Sequence, residues 1–300
     1  MNIPVKVSAT ENGIKLYRWL GRHYADANMM LTRRLCRNGE IRINSKRCGP
    51  DAVLRAGDMV RIPPALANRR PGPATEGGGY SLAELEKLRR AIIHDDDDIV
   101  VFDKPAGLAA QGGRAVRRSL DKMAVALFPN ATPLLVHRLD RETSGIMVVA
   151  KNHAAAQKLS ADFQTKRVKK TYVALLSGDV RMKKGVIDSP VDGKRAITKY
   201  EVAGGLKSLL TFVKFYPETG RKHQLRVHSA EALGAPIVGD DLYGGRRYDN
   251  KLQSLLSADH LYLLAWKITF THPRSGKLMT IRAEMPEWMK GVAELCEIKL

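Results

Sequence analysis

The chain has little cysteine, no long apolar run and a deficit of acid. Cys36, Cys48 and Cys296 are too few and too irregularly spaced for a disulfide framework or a paired zinc site, so ordinary reduced thiols in a reducing compartment are expected. No stretch approaches the roughly 20 apolar residues that a membrane-spanning helix requires. The first ten residues hold Lys6 as their one cation, unlike an arginine-rich organellar presequence. A cytoplasmic protein with no membrane partner is therefore expected. No internal repeat appears, which excludes a solenoid.

The acid deficit is large: 31 Asp and Glu face 50 Lys and Arg, a formal charge of +19 over 300 residues. Such an excess favours a polyanionic partner. Residues 1–70 hold 14 Lys or Arg against 5 Asp or Glu, so positive charge is densest in this short segment. Within it, Ile14, Leu16, Tyr17, Leu20 and Tyr24 recur at helical spacing. A second helix is expected over Met29 to Asn38, with Met30, Leu31 and Leu35 set among Arg33, Arg34 and Arg37 and Gly39 as its cap. Glu40 to Ile43 alternates like a strand, Asn44-Ser45 reads as a turn, and Gly57 to Ile62 as a final strand.

Pro63-Pro64 stops that strand, and the Pro- and Gly-rich stretch to Gly79 has the composition of a linker. The expected organisation is a small domain over 1–62, a linker over 63–80 and a large domain over 81–300. The large domain opens with a capping box at Ser81 to Glu84, a staple pair in Tyr80 and Leu85, and a helix to about Ile92. The run His94 to Asp98 reads as a solvated acidic turn rather than a metal site, because adjacent carboxylates repel one another and lack the spacing of a known loop. No metal is expected. Gln111-Gly112-Gly113 with Arg114, Arg117 and Arg118 forms a basic loop, and Lys166 to Lys170 a basic approach to a strand over Thr171 to Leu176. A helix over His223 to Leu233 capped by Gly234, and two short strands at Leu261–Trp266 and Ile268–Pro273, follow. Mixed patterning with many short strands indicates an α+β fold, largely antiparallel, with a cleft across the sheet.

The most informative stretch is His137 to Gly145, where Arg138, Asp140, Arg141 and Glu142 crowd a polar turn between the apolar runs Pro133–Val136 and Ile146–Ala150. Gly145 supplies the bend into the second run. Two carboxylates two residues apart in a tight turn are poorly placed to flank a glycosidic bond in the manner of a glycosidase.

This turn, the segment Lys170 to Leu175 and the segment Thr219 to His228 follow one another in the order of three signature segments, and together they resemble the RluA family of RNA pseudouridine synthases over roughly residues 91–285. Residues 13–62 resemble an S4 RNA-binding domain. Within the family the similarity points to the ribosomal large-subunit synthase C branch. The resemblance implies isomerisation of uridine to pseudouridine in RNA, with 23S ribosomal RNA as the expected substrate, no cofactor and no DNA partner.

It further implies Asp140 as the catalytic carboxylate, acting at ribose C1′ or C2′. Arg226 would pair with and orient Asp140, and Tyr172 would stack on uracil and handle a proton. Leu225 becomes an apolar wall, Arg221 and His223 become RNA or loop contacts, and Arg138 fills the space left by a flipped nucleotide. Arg33, Arg34 and Arg37 would meet RNA phosphates. At Leu264 the sequence departs from the family, which commonly has His there, so no role of that histidine carries over.

Overall fold

The computed structural model describes residues 3–24, 27, 29–67, 80–113, 116, 118–206, 209–244, 256, 260–296 and 298. Residues 68–79 of the expected linker, and Arg114 and Arg117 of the basic loop, lie outside the described residues.

The N-terminal part is a four-stranded antiparallel sheet with two helices. Its strands are β1 (Ile3–Lys6), β2 (Arg42–Ile43), β3 (Lys46–Arg47) and β4 (Met59–Ile62), in spatial order β1-β4-β2-β3. α1 (Leu16–His23) buries Leu16, Trp19 and Leu20, while α2 (Met29–Arg37) buries Thr32, Leu35 and Cys36. Both helices show the one-sided apolar spacing that their sequences carry. α2 ends two residues before Gly39, at φ +72°. Asn44 and Ser45, both at positive φ, form the two-residue turn of a hairpin. A short helix, α3 (Pro64–Ala67), places Leu66 in the same core, so chain assigned to the linker by composition belongs in part to the first unit. Two Pro at the start of a helix are tolerated because its first N–H groups have no partner to lose.

The remainder is built on one ten-stranded sheet. α4 (Leu82–Arg90) carries the expected capping box, with Ser81 and Glu84 each accepting from the other's backbone N–H. It stops at Arg90 rather than Ile92, because Ile92 opens β5 (Ile92–Asp95), which pairs with β6 (Ile99–Lys104). The acidic run is a solvated turn only in part: Asp97 is exposed in the connection between β5 and β6, while its neighbours are engaged. His94 and Asp95 lie in β5, Asp96 receives the backbone N–H groups of Asp98 and Ile99, and Asp98 is buried against Arg274 at 2.5 Å. Lys151 pairs with Asp95, and His94 and His272 both meet Asp96. Lys151 and Arg274, from turns distant in sequence, neutralise carboxylates that the sequence leaves crowded.

α5 (Leu120–Leu127), β7 (Leu134–Leu135), β8 (Ser144–Ala150) and α6 (His153–Gln164) follow, then β9 (Lys169–Ser177), β10 (Lys184–Asp188), β11 (Ile197–Leu206) and β12 (Leu210–Pro217). α7 (Gln224–Val227) continues into a wider turn over His228–Ala232, with Gly234 beyond it at φ +64°. β13 (Leu263–Thr271), β14 (Leu278–Arg282) and α8 (Glu287–Leu295) complete the described chain. The sheet runs β10-β11-β12-β9-β13-β8-β6-β5, with β14 on β13 and β7 on β8, and β8–β13 is its parallel pair. One strand, β13, replaces the two that were expected.

β8 is buried along its whole length. Ile146, Val148 and Ala150 pack into one apolar cluster with α6 and α8, and Met147 and Val149 into another with α4 and α5. A strand covered on both faces gains nothing from polar alternation, which is why this segment reads as a continuous apolar run. It forms a rigid mount for the loop that precedes it.

Candidate active site

That loop, residues 136–143, carries Asp140 at the edge of a cleft of about 610 Å³. Two side chains fix it, Lys104 fully buried and His137 half-buried. Lys104, fully buried, donates from Nζ to the carbonyl oxygens of Pro105, Leu108 and Arg141 at 2.9, 2.8 and 3.1 Å. Burial pushes its pKa down to about 8, while Glu142, Asp140 and Asp103 favour the ammonium. Arg141 Nε donates back to the carbonyl of Gly107, whose own N–H reaches the Arg141 carbonyl. The residue after Asp140 is thus clasped from both sides.

His137 holds the other end. Its Nε2 accepts the backbone N–H of Val148 at 2.9 Å, and its ring stacks on Phe163 at 4.6 Å between centroids. Burial, with the charge of Lys170, pushes its pKa down to about 3. The imidazole is neutral and carries its proton on Nδ1, as the hydrogen bond at Nε2 requires.

All seven residues named for the catalytic part of the site line this cleft: Arg138, Asp140, Tyr172, Arg221, His223, Leu225 and Arg226. Tyr172 projects from β9, and burial together with the charge of Asp140 raises its phenol, which keeps it protonated. Leu225 is a buried wall and Arg138 is exposed at the rim. Glu142 is exposed, outside the cleft lining, and lies 3.6 Å from Arg141. Arg221 Nε donates to the carbonyl of Arg195.

His223 sits in the left-handed region at φ +54°, with Nε2 4.0 Å from Asp140 Oδ1 and Nδ1 3.0 Å from the Tyr243 hydroxyl. Burial lowers its pKa against the opposing pull of Asp140.

Arg226 corrects one expectation. It lies in the cleft and feels the charge of Asp140, but its fork is engaged by Asp240: Nε to Oδ2 at 2.7 Å and Nη2 to Oδ1 at 2.6 Å. A planar guanidinium matches one carboxylate at a time in this bidentate fashion. The partner is Asp240 because the loop that carries it also offers the N–H groups of Leu242 and Tyr243 to the same carboxylate.

Sequence reasoning missed Asp240 and Tyr243, and also Gln224, which is buried and joins Thr219, the Arg221 N–H, the Ile197 carbonyl and Thr198. A buried arginine requires a carboxylate, and Asp240 after a glycine was the available signal. Leu264 is fully buried in the apolar cluster, in register with Val173 and Ser144, and its neighbour Leu263 lines the cleft.

The family of RNA pseudouridylate synthases matches residues 98–231. Ribosomal large subunit pseudouridine synthase C of Vibrio parahaemolyticus is 35% identical over 297 residues, covering 93% of this chain and 92% of its own. The Escherichia coli K12 protein of the same name is 34% identical over 304 residues, covering 95% and 94%. The human protein RNA Pseudouridylate Synthase Domain Containing 4 superposes with a TM-score of 0.62 at 26% identity, covering 73% of this chain and 97% of that one. With three signature segments converging on one cleft and similarity along nearly the whole chain, this protein belongs to the RluA family of RNA pseudouridine synthases.

Proposed function

We propose that the enzyme acts on uridines of large-subunit, 23S-type ribosomal RNA and that Asp140 is its catalytic carboxylate. In the isomerisation the N1–C1′ bond breaks, the uracil turns, C5 bonds to C1′, N1 gains a proton and C5 loses one. The detaching base leaves an electron-poor sugar carbon, so an ionised carboxylate must stand at the ribose. The observation that carries the reading is Asp140 on a doubly clasped loop, in one cleft with Tyr172, Leu225, His223 and Arg226. Tyr172, held protonated, supplies an aromatic face and an O–H donor for the uracil. Leu225 is the apolar wall for the base, and Arg221 and His223 bind the RNA around it.

Arg138 at the rim enters the helix space that a flipped nucleotide vacates. The similarity to ribosomal large subunit synthases C supports the choice of RNA. Residues 1–62 act as an S4-like RNA-binding domain. The exposed Arg33, Arg34 and Arg37 of α2 support this, since exposed cations of one short helix suit phosphate contact. The free thiols Cys36, Cys48 and Cys296 support a reducing, cytoplasmic setting.

Tritium release from a 23S ribosomal RNA transcript labelled at uridine C5 tests the assignment. The wild-type protein releases tritium, while Asp140→Asn binds the RNA with little change and releases none. Turnover by the Asn variant would remove Asp140 from the chemistry.

A further inference from the structure

The N-terminal unit brings together two thiols that stand apart in the chain. Cys36 lies in the last turn of α2 and is buried, while Cys48 follows β3 and is half-buried. Both pack into the core formed by α1, α2 and β4, and they share a side-chain hydrogen bond. Backbone contacts fix the approach: the N–H groups of Glu40 and Ile41 reach the Leu35 carbonyl at 2.9 and 3.4 Å, and the Ile41 carbonyl lies 3.8 Å from Cys48 Sγ. The third cysteine, Cys296, is buried in the separate core of the large sheet.

The two sulfurs are not equivalent. Cys48 receives the Cys36 thiol and the Ile43 N–H, and these donors lower its pKa against the opposing effect of burial. Cys36, whose proton that bond holds, is raised, and burial adds to the rise. One sulfur is thus prepared as the thiolate on the solvent side, with the other behind it as a thiol. Core cysteines kept only as small apolar side chains require no such contact.

We propose that Cys36 and Cys48 are a peroxide-sensitive pair whose disulfide ties α2 to the end of the β2–β3 hairpin. The Cys48 thiolate attacks one oxygen of hydrogen peroxide, forming an S–O bond as the O–O bond breaks, and the departing hydroxide takes the proton that Cys48 had released. The Cys36 sulfur then attacks the sulfenic sulfur: the S–S bond forms, the S–O bond breaks, and the thiol proton leaves with the hydroxide as a second water. Two thiols are oxidised and one peroxide is reduced. In a reducing setting the pair rests as the dithiol. The closed loop runs from the helix that carries Arg33, Arg34 and Arg37 to the hairpin beside it.

The test uses the reduced, full-length wild-type protein and hydrogen peroxide in small excess. Peptide mapping without reductant should find Cys36 and Cys48 joined, with the mass lower by the two thiol hydrogens and Cys296 still open to alkylation once the chain is unfolded. The pair should be consumed at least about tenfold faster than Cys296, because burial raises the Cys296 thiol. In Cys36→Ser the Cys48 sulfur has no resolving partner, so dimedone should trap it as the sulfenic acid.

Joining the sulfurs should also hold α2 in place. A closed loop has less freedom when the chain opens, so tryptic cleavage after Arg33, Arg34 and Arg37 should slow at least about tenfold on oxidation and recover with reductant. Thiols of Cys36 and Cys48 left free by peroxide, a bond to Cys296 or between molecules in their place, or consumption no faster than that of Cys296 would overturn the proposal. So would tryptic cleavage that is unchanged or faster after oxidation. These readings are made on the wild type and stand if Cys36→Ser fails to fold. In a folded Cys36→Ser protein, the absence of a dimedone adduct would overturn the attack by Cys48.

Discussion

At the scale of single residues, the site is defined less by the groups that face the cleft than by the buried groups behind them. His137, half-buried in the cleft lining, shows how the packing behind a residue sets its chemistry. Its pKa is about 3 in the fold against about 6.5 in an unfolded chain, so between these values the unfolded state binds the extra proton. Stability is fully present above pH 6.5 and is lost as pH falls toward 3. Between pH 7 and pH 4 the loss from this one ring is about 3 kcal/mol. His137→Gln keeps an acceptor for the Val148 N–H without a titrating group. Denaturant unfolding at the two pH values should show a smaller acid penalty in the variant by about that amount. The signature segment made His137 visible, but nothing in its spacing marked it as a neutral acceptor. That role comes from Phe163 and Val148, brought to it by the packing of α6 and β8.

At the scale of elements, what was legible was local. The capping box of α4, the helical faces of α1 and α2, the Asn44-Ser45 turn and the doubly covered β8 all depend on residues a few positions apart, and all occur where the sequence places them. β13 was misread because Lys267 interrupts two apolar runs. In the fold Lys267 lies 5.4 Å from the ring of Trp266, beside a bulge between Leu264 and Lys267, so the charge stays near solvent without ending the strand. The partner of Arg226 was illegible for the opposite reason: it stands 14 residues on, in a turn whose approach is set by tertiary packing.

Gly145 shows how a correct reading can have an incomplete cause. It has φ +110°, but a side chain there would also run into the backbone of Ala265 on the adjoining β13. Gly193, at φ +70°, has open space around it. Gly193→Ala should therefore cost about 1 kcal/mol. Gly145→Ala should cost about 3 kcal/mol or more, with the loop of Asp140 disturbed as β8 and β13 separate. Thermal unfolding of the two variants tests the difference, and equal losses would show that strand contact at Gly145 is unimportant.

At the scale of the molecule, the two sheets have separate apolar cores. The N-terminal sheet and helices present Arg33, Arg34 and Arg37, while the large sheet carries the cleft lined by Asp140. If α2 is an anchor for phosphates, Arg33→Gln, Arg34→Gln and Arg37→Gln together should weaken binding to a ribosomal RNA fragment. They should also reduce the slope of log affinity against log salt by about 2, since each phosphate contact contributes roughly 0.7 to 0.9. Turnover at saturating RNA should be unchanged, because none of the three lies in the cleft. A slope equal to that of the wild type would remove α2 from the interface.

If this cleft makes pseudouridine in large-subunit ribosomal RNA through Asp140, the modified sites must follow the Asp140 allele. The most direct measurement maps pseudouridine across that RNA from cells carrying the wild-type gene, no gene, or the Asp140→Asn allele at equal protein level. Discrete sites should be present with the wild type and absent from both others, with every remaining pseudouridine unchanged. Identical maps in the three strains, or sites retained by the Asp140→Asn allele, would contradict it.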